Sequence, residues 1–304
     1  LLLLYEKLMG EDKANWLPHL EFMSHLFAAF FRQRKGMSTG PILQSLRNPE
    51  AFQFIHNLFL YNDLVQATSR GMPTLSNYYL QLKEVPFWIS GNAASNDFSS
   101  NIIPPTVPQN NSHLTFPHLI ARISAGDENV TDADITAWDG RVYWLPSFSL
   151  TVMQRCDSLE TMAARPAYSF STSNDEERLI SDLYRITANM YRFQVSRRRG
   201  KIDTPPTLDT DILPSQAIQL ILQLPDGSPF ENALLWPMGI IAKDLTHNHI
   251  IERAAILQKL QALEHRFQMR HFERARAVFH KMWKRVDEGK ESGQNQAEES
   301  LLFG

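Results

Sequence analysis

Apolar residues recur at gaps of three and four along most of this chain. In "NWLPHLEFMSHLFAAFF", Trp16, Leu20, Met23, Phe27 and Phe30 form one such stripe, which predicts a helix with one buried face. Pro18 falls in its first turn, where a missing N–H costs little. Asn48-Pro49 reads as a cap and a first-turn proline; Phe52, Ile55 and Phe59 follow, and Gly71 is the expected stop. Thr131-Asp132-Ala133-Asp134 opens a short helix by the capping-box pattern, with Asp in place of Glu. Ser173-Asn174-Asp175-Glu176 opens a longer one carrying Leu179, Leu183, Ile186, Met190 and Phe193. "SQAIQLILQL" reads as a short apolar helix ended by Pro225 and Gly227. Two further periodic stretches span 248–265 and 270–287.

Alternation with period two is nearly absent. "GRVYWLP" could be a strand, but a lone strand has no partner. The pattern predicts an all-α fold: one large helical array over residues 1–287. Two polar segments interrupt it. The Ser-, Asn- and Pro-rich stretch near 90–115 is expected to be a long loop. Residues 288–304, polar and acidic, are expected to be a disordered tail.

Composition narrows the function classes. The chain has 304 residues, enough for one large domain, and a formal net charge of -3. It therefore lacks the global basic excess of many nucleic-acid binders. Its single cysteine, Cys156, excludes an internal disulfide and a cysteine-rich zinc site. The opening "LLLL" is too short for a membrane span and suggests a piece of a longer protein.

Catalytic templates are missing: there is no G-x-S-x-G, H-E-x-x-H, G-x-G-x-x-G or Walker loop. Cys156 reads better as a small hydrophobe than as a nucleophile. His247 and His249, two apart, diverge on a helix and make a poor metal pair. Asp134, Asp139 and the run Asp175-Glu176-Glu177 resemble carboxylate clusters of all-helical prenyl-converting enzymes. The second, facing cluster such enzymes need is absent, and these acids sit at helix N-termini, where the dipole favours them. No metal ligand is assigned. Two basic stretches remain. Arg197 to Lys201 follows a helix and could complement its C-terminal dipole or act as a localisation signal. Arg266, Arg270, Arg274, Arg276, Lys281, Lys284 and Arg285 face only Glu273 in sequence. They read as a solvated face opposite a core stripe of Phe272, Ala275, Phe279, Met282 and Trp283 or Val286, with a phosphate-binding face as the alternative.

Resemblance goes further. "LIARISAGDENVTDADITAWDGRVYWLPSF" resembles the middle of the fungal-specific transcription factor domain of zinc-cluster regulators. "ENALLWPMGIIAKDL" through "ERAAILQKLQALEHRFQMRHFERARAVFHKMW" is similar to its end, an apolar segment around Leu-Trp-Pro and then helices closing in a Trp. "LLLLYEKLMGEDKANWLPHL" and "LFLYNDLVQATSRGMP" also fit. The resemblance implies a non-enzymatic, nuclear, regulatory domain, all-α in fold. DNA is then read by a six-cysteine binuclear zinc cluster outside this chain, so no cofactor is expected within it. The implied partners are a second copy in a homodimer, transcriptional co-regulators and a hydrophobic small-molecule effector, with no membrane. The alternative is an all-helical enzyme or binding protein acting on a hydrophobic small molecule.

One stretch, "SPFENALLWPMGIIAKDL", holds the candidate site. Ser228 is expected to cap a helix, Pro229 to take its first position and Glu231 to close the capping box. Pro237 would then fall mid-helix, clash with the carbonyl of Ala233 and kink the helix, while Gly239 permits a close neighbour. The kink either shapes the core or forms a hinge, Pro237 and Gly239, beside a ligand cavity. The candidate ligand-binding residues are Trp236, Met238, Phe279, Met282 and Trp283.

Overall fold

The computed structural model describes residues 17–33, 49–76, 116–138, 174–200, 208–228, 230–267 and 270–289. The loop near 90–115, Cys156, the segment "GRVYWLP" and residues 290–304 lie outside them. The described residues form nine α-helices and no strand, the all-α fold that the periodicity predicts.

Helices α1 (Leu17–Gln33) and α2 (Pro49–Arg70) pack together. Leu20 and Phe27 are buried between them, and Phe27 lies 5.3 Å from the Phe59 ring. α2 ends as expected: Gly71 takes φ +68°, and the Met72 N–H donates back to the Ala67 carbonyl at 2.9 Å. The turn after it folds back onto the helix. Asp63, fully buried on α2, accepts the N–H groups of Leu75 and Ser76 at 2.8 and 2.7 Å, and the Ser24 hydroxyl donates to the Leu75 carbonyl.

α3 (Phe116–Ala125) packs on α2, and α4 (Asp132–Ala137) on α5 (Asn174–Arg198). The capping box of α4 is complete: the Asp134 N–H donates to Thr131 Oγ1 and the Thr131 N–H to Asp134 Oδ2. In α5 the core positions include Ile180, Leu183, Tyr184, Thr187, Ala188, Met190 and Tyr191, whereas Leu179, Ile186 and Phe193 are half-buried. Leu183 and Met190 of the predicted stripe thus lie in the core, and the core centre falls to one side of it. Tyrosines and a threonine take that centre because each polar tip finds a partner: the Thr187 hydroxyl donates to the Leu183 carbonyl, and Tyr191 Oη lies 3.1 Å from Ser124 Oγ.

α6 (Leu208–Gln223) begins before the predicted start and carries Pro214 inside it. A 3₁₀ turn, Glu231–Leu234, leads into α7 (Leu235–Asp244). α8 (Ile250–Phe267) and α9 (Arg270–Asp287) close the fold as an antiparallel pair joined by a short connection, and Arg253 of α8 meets Asp287 at the far end of α9 at 2.8 Å. α7 contacts α2, α5, α6, α8 and α9, so the short helix is the centre of the domain.

Two imidazoles give the array a pH dependence. Burial lowers the pKa of His56 to about 3. Burial, and then the nearby Arg122 charge, lowers that of His118 to about 4. Both are neutral in the folded chain, while the unfolded chain protonates them near 6.5. Their contribution is therefore present above pH 6.5 and lost as pH falls towards 4. Asp63, raised by burial, acts in the opposite sense in the acid part of this range. Unfolding free energies from urea denaturation should fall between pH 7 and 4.5 with a slope of up to about 2.7 kcal/mol per pH unit, two protons' worth. A flat profile over that range would contradict the placement of both histidines.

Candidate functional site

α7 is apolar on every side because it is surrounded. Leu235, Trp236, Pro237, Met238, Gly239, Ile240, Ile241 and Ala242 are all buried. Such a helix needs its two ends satisfied by partners rather than by water. The sequence expectation for the first end is corrected here. The Ser228 hydroxyl accepts from the Phe230 N–H at 3.3 Å, and Glu231 reaches the Gly227 N–H at 3.1 Å, so no capping box closes on Ser228. The Glu231 carboxylate is drawn elsewhere. It is 1 % exposed, lies 3.0 Å from Lys259 Nζ and pairs with Arg266. Asp226 also meets Lys259, at 3.1 Å. These charges fasten the 3₁₀ turn to α8.

Pro237 is corrected for the same reason. The α-helix starts at Leu235, so Pro237 is its third residue and stands in the first turn, not mid-helix. Ala233 still lacks the N–H that a non-proline residue at 237 would offer. The Tyr184 hydroxyl supplies the missing donor, at 2.8 Å from the Ala233 carbonyl. The proline thus creates an acceptor that α5 uses. Gly239 is buried in the following turn.

Trp236 lies at the meeting of α2, α3 and α5. Its Nε1–H donates to Thr68 Oγ1 at 3.1 Å, and its ring stands 5.3 Å from Phe116 and 5.2 Å from Tyr184. Tyr61 completes the group through a hydrogen bond with the Trp236 backbone, and burial pushes the Tyr61 phenol up from its ordinary pKa. At the other end of α7, Trp283 Nε1–H donates to the Ala242 carbonyl at 2.8 Å, Phe279 lies 5.8 Å from Trp283, and the Arg253 guanidinium covers the Trp283 ring at 5.2 Å. Gln194 donates to the Ile240 carbonyl and to Asp244, both at 2.9 Å, and Lys243 donates to the Thr68 carbonyl at 2.9 Å. Met238 is fully buried and Met282 is half-buried. The structure thus sets Trp236 and Trp283 against opposite ends of one helix, with Met238 between. Of the polar residues that hold α7, Tyr184, Gln194 and Lys259 carry no sequence signal and Glu231 carries one for a different role, because nothing local marks a partner many residues away.

Asp139 lies outside the described residues, and several of the other candidate groups have partners. Asp134 closes its cap, Asp132 pairs with Arg192, and Glu176 accepts from the Ser228 hydroxyl at 2.6 Å. His249 Nδ1 accepts from the Thr246 N–H at 3.1 Å. Among the described residues no group of three or more His, Cys, Asp or Glu could hold a metal ion, and no helix is long and apolar enough to cross a membrane. In the last two helices, Arg266 and Arg276 face acids outside α9, Glu231 and Glu264, not Glu273 alone. The basic run begins within the last turn of α5, where Arg197 pairs with Asp244 at 2.7 Å and Arg198 Nε donates to the Gln194 carbonyl. The guanidinium groups of Arg198 and Arg199 lie over Gly71 and Gly126, where a Cβ would come within 1.7 and 1.3 Å of them. Both glycines have positive φ, so each position excludes a side chain twice over.

A family model for the fungal specific transcription factor domain matches residues 1–296. The chain belongs to that family. No curated protein and no solved structure matches it. A transcription-regulatory role follows from membership, and the transcription factor domain is organised around α7.

This placement predicts the outcome of restoring a backbone N–H at position 237. The new N–H of Pro237→Ala points at a carbonyl already bonded to Tyr184, so stability should change by under about 1 kcal/mol, while Tyr184→Phe should cost about 1–2 kcal/mol. In the double variant the alanine N–H takes over the orphaned carbonyl, and the cost should shrink. Additive losses in urea denaturation would show that the two groups do not share Ala233.

Proposed function

We propose that this is the effector-responsive regulatory domain of a zinc-cluster transcription factor acting in the nucleus. Sequence-specific DNA reading then belongs to a six-cysteine module outside the chain, which itself has one cysteine and needs no cofactor. The observation that carries the reading is the seating of α7. Its two ends are bonded to α2, α5, α8 and α9 through Trp236, Gln194, Glu231 and Trp283. A change at any one of these contacts is felt by the others, which a domain that reports an effector to co-regulators or to a second copy requires. Phe279, Met282 and Trp283 offer the apolar chemistry a hydrophobic effector would meet at one end of α7, and Trp236 and Met238 the response at the other.

Fusion of residues 1–304 to an unrelated DNA-binding module tests this. Reporter transcription should differ several-fold from that of the module alone at matched abundance. Equal output would reject the regulatory role. Light scattering should give the mass of a homodimer, and a monomer mass across the micromolar range would remove the second copy from the proposal.

A further inference from the structure

α4 is a short cover on α5. Asp132, Ala133, Thr136 and Ala137 on it are exposed, and it reaches inward through Ile135 and, just past its end, through Trp138, both buried. The Trp138 ring lies 4.9 Å from Phe116, and Phe116 in turn touches Tyr184 and Trp236 at 5.0 and 5.3 Å. Arg185 of α5 holds both parts of Trp138. Its guanidinium lies over the ring at 5.5 Å, and its Nη2 donates to the Trp138 carbonyl at 2.9 Å. Nη1 of the same group donates to Asp182 at 2.8 Å. Nε, whose N–H lies on the same edge as Nη2, is buried and has no acceptor. An arginine edge of this kind grips a carboxylate with two parallel hydrogen bonds. Here it meets one carbonyl oxygen. One turn further along α5, Asn189 Oδ1 is also buried without a donor. It falls between Arg185 and Arg192, and Arg192 pairs with Asp132 at the start of α4.

We propose that the seat of Trp138 is a binding site for an aromatic carboxylate, which takes the place of Trp138 there. The residue presents a ring and one oxygen acceptor to Phe116 and Arg185. A ligand with a similar ring and a carboxylate gives Arg185 the second oxygen that the backbone cannot supply. The seat has the general make-up of a small-molecule site, aromatic walls with a few polar groups that fix orientation. An uncharged ring gains nothing over Trp138 itself, and a carboxylate without a ring leaves the Phe116 wall uncovered. The site is separate from the Phe279–Trp283 end of α7 and does not depend on the regulatory reading. Phe116 joins it to Trp236, so exchange of Trp138 for the ligand reaches the first turn of α7.

Indole-3-propionate is a tryptophan without its amine: the same ring and spacer, ending in a carboxylate. Indole-3-propionamide keeps the ring and one oxygen but can turn only an N–H towards Arg185 Nε. Calorimetric titration of both compounds into the 304-residue chain and its Trp138→Ala variant tests the proposal. In the variant the acid should bind about tenfold tighter than the amide, the worth of one charge-assisted hydrogen bond. Adding Arg185→Gln should erase that preference. The unaltered chain should bind the acid more weakly, because Trp138 has first to leave. There the indole N–H resonance of Trp138, identified by its loss in Trp138→Phe, should shift with the acid. Equal binding of acid and amide by a folded Trp138→Ala chain would overturn the proposal, and so would a preference that survives Arg185→Gln. A Trp138 resonance left unmoved in the unaltered chain by about 10 mM acid would also overturn it, and this result decides even where the alanine variant does not fold.

Discussion

Replacing Trp236 with alanine should lower the stability of the domain by about 3–5 kcal/mol, the largest single-residue effect expected here. The indole is 2 % exposed and packs against both Phe116 and Tyr184, whose rings also meet each other at 5.0 Å. Its removal leaves a cavity bordered by rigid rings, which collapse poorly. It also frees Thr68 Oγ1, although that hydroxyl keeps its own bond to the Leu64 carbonyl at 2.9 Å. Trp236→Phe should therefore cost far less, about 1–2 kcal/mol, because most of the volume remains. The comparison is made by urea denaturation followed by circular dichroism. An alanine variant that melts with the wild type would mean that α7 is not the centre of the core.

The second large effect is expected at Glu231. Glu231→Gln keeps the shape but leaves Lys259, whose side chain is 9 % exposed, facing a neutral group. Removing one partner of a buried pair costs about 3–5 kcal/mol, and the lower end applies because Asp226 still meets Lys259 from the solvent side. Adding Lys259→Met removes the stranded charge, so the double variant should recover part of the loss. A coupling of about 1–3 kcal/mol between the two sites is expected from the cycle. Strictly additive losses would show that the carboxylate is held by Arg266 and the Gly227 N–H alone.

What could be read from the chain follows from how far apart the partners lie. The Thr131–Asp134 box, the Gly71 stop and the limits of α8 and α9 rest on contacts between residues a few places apart, and each is written locally. α6 begins upstream of "SQAIQLILQL" because surrounding contacts sustain the helix across Pro214, which local rules treat as a boundary. In α5 the pattern marks Leu183 and Met190 but not Tyr184 and Tyr191, because tyrosine counts as half-polar until its hydroxyl is seen to have a partner. Ser228 and Glu231 match a capping box letter for letter. Lys259, 28 residues on, outbids the backbone for the carboxylate, and the pattern of four residues cannot contain that competitor. The candidates around α7 were found as apolar residues, but not their arrangement at its two ends.

The Lys243 contact has a consequence for synthesis. The last carbonyls of α2, those of Thr68 and Ser69, receive their ammonium from a residue 175 positions after Thr68. At about 5–20 residues per second, that donor leaves the ribosome roughly 9–35 s after the helix it completes. Trp236, 168 positions after Thr68, arrives almost as late. During translation the first helices wait with apolar faces uncovered and with the Thr68 and Ser69 carbonyls lacking their ammonium, a state that chaperones recognise. A nascent chain stalled before residue 230 should therefore remain chaperone-bound and protease-sensitive throughout, including in its finished N-terminal helices.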